Sequence, residues 1–348
     1  MTLTEKNNIL FQLGGIFKSL GENLPWKGYE LGINENEYNA LDELCKTVHI
    51  YNGWFKEAEV RKAFLGISKW LTADQLKQWV DQYDFPVQRK NVAIIMAGNI
   101  PLVGFHDFLS VFMSGHKAII KLSSDDQHLF PAVLKTMSLF NDQMSEYFQI
   151  VRDKMEGFDA VIATGSDNSA TYFESYFGKY PNIIRKNRTS VAFLEGDESK
   201  DELQLLGHDI FDFYGLGCRN VSQIWIPESF EMDRFFEAIF DFQEIIYHNK
   251  YANNYDYNKA VYLMNQLPLL DNGFILLKED KALNSPLGVL HYVRYKSREE
   301  FDVFKKEQNQ RIQVVVGRDY TPFGCAQQPE LTDYADRVDT LEFLTNLM

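Results

Sequence analysis

Hydrophobic and polar positions follow two different rhythms along this chain, and the change comes just before Asn91. Upstream, Glu43 to His49 and Glu57 to Trp70 carry apolar residues at three-to-four spacing, and Thr72-Ala-Asp-Gln-Leu76 opens like a capped helix. Residues 1–85 therefore predict a helical layer, with Trp26, Trp54, Trp70 and Trp79 as packing residues. From Asn91 the apolar residues come in short continuous runs, as in strands buried on both faces. Val92–Met96, Lys117–Leu122, Ala160–Ala163 and Ser190–Leu194 are the predicted strands. Amphipathic stretches separate them, from Phe105 to Ser114, from Asp126 to Phe140, and after Thr164-Gly165-Ser166. Strand and helix alternating in this way predict βαβ units around a parallel sheet.

The second half continues the theme less regularly, with Gln223–Ile226, Phe274–Leu277, Leu290–Val293 and Gln313–Val316 as predicted strands. The polar stretch Glu195–Glu202 is the expected boundary between two α/β lobes, and the Asn- and Tyr-rich segment from Tyr247 to Tyr257 reads as a surface excursion. The expected organisation is a helical layer over 1–85 and an α/β lobe over 86–202. A second lobe over 203–330 and a C-terminal tail over 331–348 complete it. No internal repeat and no low-complexity linker is visible.

Composition narrows the class. Of 348 residues, 45% are hydrophobic and 24% charged, a globular balance. The net charge of −14, with no basic stripe to offset it, argues against a nucleic-acid partner. The long apolar run from Val92 to Gly115 is interrupted by Asn99, Pro101, His106 and Asp107, so it predicts soluble core and no membrane span. Three cysteines, Cys45, Cys218 and Cys325, lie far apart without CxxC spacing, so neither a disulfide framework nor a thiolate metal site is expected. With no cleavable leader pattern in residues 1–20, a reducing cytoplasm is the expected setting.

The chemistry concentrates in four short segments. Gly215-Leu-Gly-Cys218 puts a thiol on a glycine-flexed turn before the run Val221–Ile226. Such a thiol is either a nucleophile facing an acyl carbon or a small buried hydrophobe. Asn99, in the turn Ala97-Gly-Asn-Ile-Pro101 after a buried strand, is either an oxyanion donor or an ordinary turn residue. Lys121, Ser123 and Ser124 end the next strand, where they suit the ribose or phosphate oxygens of a nucleotide or form a solvated terminus. Thr164-Gly165-Ser166, at a strand-to-helix junction, either presents helix N–H groups to a pyrophosphate or supplies an N-cap from Ser166 or Asp167. Neither GxGxxG nor GxxxxGK[ST] is present.

In this order the four segments resemble the aldehyde dehydrogenase superfamily, and within it the fatty acyl-CoA reductases of bacterial luminescence. Asn99-Ile-Pro resembles its oxyanion-hole Asn-x-Pro, and Lys121-Leu-Ser-Ser its cofactor-binding Lys-Pro-Ser-Glu. Thr164-Gly-Ser resembles its pyrophosphate-contacting Thr-Gly-Ser, and Gly215-Leu-Gly-Cys218 its nucleophile turn. The stretches at Phe323-Gly324, Gln328-Pro329 and Asp333–Asp336 also look like that subfamily, and Ser285-Pro-Leu-Gly288 faintly like a cofactor-facing loop. The resemblance implies an α/β fold of aldehyde-dehydrogenase type, with a Rossmann-like cofactor lobe, a catalytic lobe and the helical N-terminal layer.

Two departures sharpen the expectation. Where aldehyde oxidisers carry a general-base Glu, this chain has Ile184 within Asn182–Arg188, a stretch whose Arg185, Lys186 and Arg188 read as a solvated basic run. A reducer that passes its acyl group to hydride has no water to activate. Where the family carries a ribose-binding Glu, this chain has Ser124, which admits the 2′-phosphate of NADPH. The resemblance thus implies an NADPH-dependent acyl-CoA reductase, with Cys218 as nucleophile, Asn99 in the oxyanion hole, and no metal. It also implies association with a second copy or with an acyl-donor enzyme. A CoA-acylating aldehyde dehydrogenase using NAD, and a redox-inactive acyl carrier or scaffold, are the alternatives. His208, upstream of the thiol, is either a group that lowers the thiol pKa or a packing residue.

Overall fold

The computed structural model describes residues 1–85 and 88–347. Residue 86, the expected start of the second segment, and residue 348 lie outside them. By contact the chain forms two units, residues 1–186 together with the segment from Glu330, and residues 187–329.

The first unit begins with helices α1 (Leu3–Gly21), α2 (Glu35–Thr47), α3 (Glu57–Ser68) and α4 (Ala73–Val80). Thr2 and Asn34 open α1 and α2 with reciprocal capping boxes to Glu5 and Glu37. Thr72 caps α4 by accepting the Gln75 N–H, as its sequence predicts. Then come β1 (Asn91–Ile95), α5 (Phe105–Met113), β2 (Lys117–Lys121), α6 (Leu129–Phe140), β3 (Phe148–Ile150), β4 (Ala160–Thr164), α7 (Asp167–Phe177) and β5 (Asn182–Arg185). The strands form a parallel sheet in the order β3-β2-β1-β4-β5. Both faces are covered, which is why the strands read as continuous apolar runs. Val92 and Ile94 enter one core with Phe105, Phe108, Leu134 and residues of α1–α4, while Ala93, Ile119 and Val161 pack against Phe173 and Phe177 of α7.

The second unit holds β6 (Thr189–Phe193), α8 (Lys200–Phe211), β7 (Val221–Pro227), α9 (Met232–Ala238), α10 (Asn249–Met264), β8 (Leu270–Asp271), β9 (Leu276–Glu279), β10 (Val289–Tyr295), α11 (Arg298–Glu307) and β11 (Ile312–Val316). Its sheet runs β11-β6-β7-β10-β9-β8, parallel except for the β8–β9 pair. No helix among the described residues is long and apolar enough to cross a membrane.

Several expectations are corrected. The division falls between Lys186 and Asn187 and not in Glu195–Glu202, because β6 pairs with β7 and β11 of the second unit. The acidic stretch is itself ordered: Ser199 and Glu202 make the capping box of α8, and Arg318 binds Glu195, Asp197 and Glu202. The segment from Tyr247 to Tyr257 largely enters α10, where Tyr251 and Tyr255 are buried and their hydroxyls donate to Phe274 O (3.0 Å) and Asp271. Strand β9 starts two residues later than predicted, since Asn272 Oδ1 takes the N–H groups of Phe274 and Ile275.

The C-terminal residues are no tail. Leu331, Leu341 and Leu344 are buried in the first unit's core, the last two on helix α12 (Thr340–Thr345). His106 and His116 each place Nε2 on a backbone oxygen of this segment, Leu331 O at 2.9 Å and Leu344 O at 3.0 Å. Arg185, expected in a solvated run, is buried at 4% exposure, ion-paired to Asp107 of α5 and bonded to Thr340 Oγ1. Lys186 does meet solvent, where it pairs with Glu174.

Candidate active site

In the first unit the strand order reverses direction between β1 and β4, and ligands of open α/β sheets bind at the carboxyl ends of such a pair. Ile95 at the end of β1 is in register with Lys121 of β2 and with Ala163 of β4. The three segments picked from the sequence therefore leave the sheet side by side at one edge. Asn99 is exposed there, in a turn continued by Pro101 and by Leu102, whose φ of 56° is left-handed. Leaving a branched-γ residue in that region costs roughly 1–2 kcal/mol. It is held by Asp126, buried at the start of α6, whose carboxylate accepts the N–H groups of Leu102 and Phe130. Burial pushes the Asp126 pKa up, against the pull of these bonds.

The β2 loop touches this turn. A Cβ on Gly98 would lie 2.7 Å from Ser123 Oγ, so only glycine allows the approach. Ser123 Oγ accepts the Asp125 N–H, Ser124 is exposed, and Lys121 Nζ donates to Asp153 O at 3.2 Å. On the other side, Ser166 is the N-cap of α7 and accepts the Ser169 N–H at 3.2 Å. A Cβ on Gly165 would meet Ser169 Cβ at 2.8 Å, so this glycine packs the turn against the helix it precedes. Of the two capping candidates Ser166 fills the role, and the Asp167 side chain lies outside the described residues.

These residues suit a dinucleotide. Thr164, Gly165 and the α7 N-terminus form the strand–turn–helix junction that attracts a pyrophosphate. Lys121, Ser123 and Ser124 supply an amine and hydroxyls two strands away, across β1. Among the described residues, no cluster of His, Cys, Asp and Glu is arranged to hold a metal ion.

In the second unit Cys218 is exposed, and none of the three cysteines is in a disulfide. The chain reaches it from α8 through Phe213, Tyr214 and Gly215, with φ of 53°, 57° and 77°. Two consecutive left-handed aromatic residues are unusual and occur where the surroundings force them. The Tyr214 ring packs 4.3 Å from that of His248, and Leu287 Cδ1 lies 3.5 Å from where a Gly215 Cβ would stand. Leu287 thus lies against the turn leading to the thiol. His208 directs Nδ1 to Asp212 Oδ1 at 3.2 Å and stacks edge-on to Phe242.

Three buried polar residues around the thiol carry no sequence motif. Ser190 Oγ donates to Cys218 O (3.1 Å) and accepts the Val314 N–H. Asn220 spans the Cys218 turn and the end of α8. Asp209, fully buried on α8, accepts the N–H groups of Gly324 (2.7 Å) and Ala326 (2.9 Å), fixing the Cys325 loop. Burial raises the Asp209 pKa to about 6 in spite of those two bonds. Its folded-state pKa lies above its unfolded value, so its contribution is complete below about pH 4 and lost as pH rises through about 6. Over that window the native protein should lose about 3 kcal/mol of stability relative to Asp209→Asn. Denaturant titrations of both proteins between pH 4 and 7 check this, and a difference that stays flat with pH contradicts it.

Comparison with known proteins fits this geometry. The fold is that of the aldehyde dehydrogenases. Aldehyde dehydrogenase 21 from Physcomitrella patens superposes with a TM-score of 0.62 at 12% identity, covering 92% of this chain and 74% of that one. An acetylating aldehyde dehydrogenase from Geobacillus thermoglucosidasius gives 0.60 at 11% identity, covering 91% and 76%. Residues 37–240 match the family described as acyl-CoA reductase (LuxC), and the chain belongs to that family. A long-chain acyl-protein thioester reductase of Aliivibrio fischeri is 23% identical over 234 residues, covering 59% of this chain and 47% of that protein. The match thus spans about half the length of the curated relative. Asn99, Lys121, Ser123, Ser124, Thr164–Ser166 and Cys218 all lie within the family match.

Proposed function

We propose that this chain reduces an acyl thioester to an aldehyde, with Cys218 as the acyl-accepting nucleophile and NADPH as reductant. The observation that carries the reading is Cys218 itself, exposed at the tip of a turn whose backbone is tied on both sides, within the segment that matches the acyl-CoA reductase family. The Cys218 thiolate attacks the thioester carbonyl, and the oxygen gains negative charge. The Cys218 N–H and the Asn99 carboxamide are the donors for that charge. Collapse expels the CoA or carrier thiolate and leaves the acyl group on Cys218. Thiolate is a good leaving group, so this step needs no strong general acid. When bound, a reduced nicotinamide cofactor would supply hydride to the Cys218 thioester, and departure of the Cys218 thiolate would then free the aldehyde. Thr164, Gly165 and Ser166 with the α7 amides would hold its pyrophosphate, and Lys121, Ser123 and Ser124 its ribose. The relative's substrate is an acyl-protein thioester, so the donor here is an acyl thioester on CoA or on a partner protein.

One observation favours a second cofactor reading. Asp125, next to Ser124, is exposed, and its Cβ lies 3.1 Å from where a Gly98 Cβ would stand. A carboxylate there repels a 2′-phosphate and favours NADH. Initial rates with each cofactor decide between them, and Asp125→Ser shifts the ratio toward NADPH if the carboxylate faces the ribose.

The test of the function is intact mass spectrometry after incubation with acyl-CoA without reductant. The expected result is one acyl adduct, on Cys218, discharged as aldehyde when NADPH is added. A folded protein that takes no adduct, or whose adduct sits elsewhere, ends the reading. Asn99→Ala should lower the rate of aldehyde formation by roughly 10²–10³ with little change in KM, because it removes a donor needed most in the transition state. Steady-state kinetics check it, and a loss below about threefold takes Asn99 out of the mechanism.

A further inference from the structure

We propose that Asn220 is a positioning residue that fixes the direction of the Cys218 N–H. The proposal deepens the reading of Cys218 as nucleophile and rests on it. Gly217-Cys218-Arg219-Asn220 is a β-turn, closed by the Asn220 N–H donating to Gly217 O at 3.0 Å, with Cys218 and Arg219 in its two central positions. The peptide joining Gly217 and Cys218 is trans, so its carbonyl and N–H point in opposite directions. With the carbonyl held by the Asn220 N–H, the direction of the Cys218 N–H is set opposite to that bond.

Asn220 holds the peptides on both sides of Gly217, the one to Cys218 through its backbone N–H and the preceding one through its side chain. Gly217, between two flexible bonds, is the residue whose backbone rotates most easily. Asn220 Oδ1 accepts the Gly217 N–H at 2.8 Å, so both polar groups of Gly217 are held by one residue. A Cβ on Gly217 would stand 3.0 Å from that same oxygen, which shows how closely the amide fits. The other end of the amide is anchored in turn. Asn220 Nδ2 lies within bonding distance of Asp212 O (2.8 Å), Asp209 O (3.1 Å) and Ile210 O (3.3 Å), carbonyls at the end of α8. Helix ends leave such carbonyls without intrahelical partners, and here one buried amide both caps them and reads the turn. Asn220 is 3% exposed, so water does not replace these bonds.

The separating experiment compares two reactions of the same sulfur in the native protein, Asn220→Ala and Asn220→Asp. Alkylation by iodoacetamide needs the thiolate but no oxyanion donor. Acyl transfer from acyl-CoA, read as the burst of CoA release, needs both. The expected result is a fall of roughly 10²-fold in the burst rate for both variants, with the alkylation rate and its pH profile within threefold of native. Asn220→Asp keeps the acceptor for Gly217 but loses the donations that orient it, so it does not rescue. Acyl transfer within threefold of native, a parallel loss of both reactions, or failure of both variants to fold overturns the proposal. A Cys218→Ala protein that still releases CoA in a burst overturns the proposed function instead, so the two failures are told apart.

Discussion

Cys218→Ala should form no acyl adduct and should lose aldehyde production by at least about 10⁴-fold, the scale expected when a covalent nucleophile is removed. The two other thiols make the test clean. Cys45 is buried in α2, and desolvation pushes its pKa up to about 12, so it holds no thiolate near neutral pH. Cys325 is half-buried, on a loop held by Asp209. Neither should take the acyl group when Cys218 is absent. Cys218→Ser is the more demanding variant, because it leaves the turn nearly unchanged in volume. A serine hydroxyl is almost never ionised at neutral pH, and the ester it would form accepts hydride less readily than a thioester. Its rate should fall nearly as far as that of the alanine variant. Aldehyde output, with mass spectrometry of the protein, reads both. Aldehyde formation within tenfold of native in Cys218→Ala would move the chemistry off this residue.

The parts of the fold that were legible in the sequence are those with continuous apolar runs. β1, β2, β4, β6 and β7 were each readable within a residue or two, because their central residues are apolar and buried. The parts that were not legible depend on partners far away in sequence. Helix α10 hides behind Tyr and Asn because its buried rings keep their hydroxyls satisfied by Phe274 O and Asp271, not by an apolar stripe. β3 and β5 are short edge strands, and β3 has two of its three residues exposed, so neither produces a pattern. The candidate site divides in the same way. Asn99, Lys121, Thr164 and Cys218 stood out because they sit in turns next to glycine or at strand ends. Asp209, Ser190 and Asn220 work from buried positions, where a polar residue is recognised only by what it bonds. The one available signal was an Asn two residues after the cysteine, and a single Asn at a strand start is commonplace.

Arg185 shows how much such a distant partner matters, and replacing it by methionine should be among the most destabilising single changes in the first unit. Arg185 closes β5, in register with Thr164 at the end of β4. Its guanidinium binds Asp107 on α5 and Thr340 on α12, so one side chain ties the sheet's carboxyl edge to two helices. Asp107 is itself 6% exposed. Methionine fills similar volume but leaves that carboxylate buried without its cation, which costs about 3–5 kcal/mol. The pair is not optimal even in the native protein, since Arg185 Nε is buried with no hydrogen-bond partner among the described residues. Replacing both members, Arg185→Met with Asp107→Leu, should therefore recover most of the loss, because no unpaired charge remains. Denaturant unfolding of the native, single and double variants measures this, with the double-mutant cycle giving the coupling. On the proposed assignment of the Thr164 junction to the cofactor, the single variant should also bind a nicotinamide cofactor more weakly, since that junction loses the neighbour that steadies its strand. A single variant as stable as native would mean that Asp107 reaches solvent when the arginine is gone, and the buried pair would then have no structural hold on the sheet's carboxyl edge.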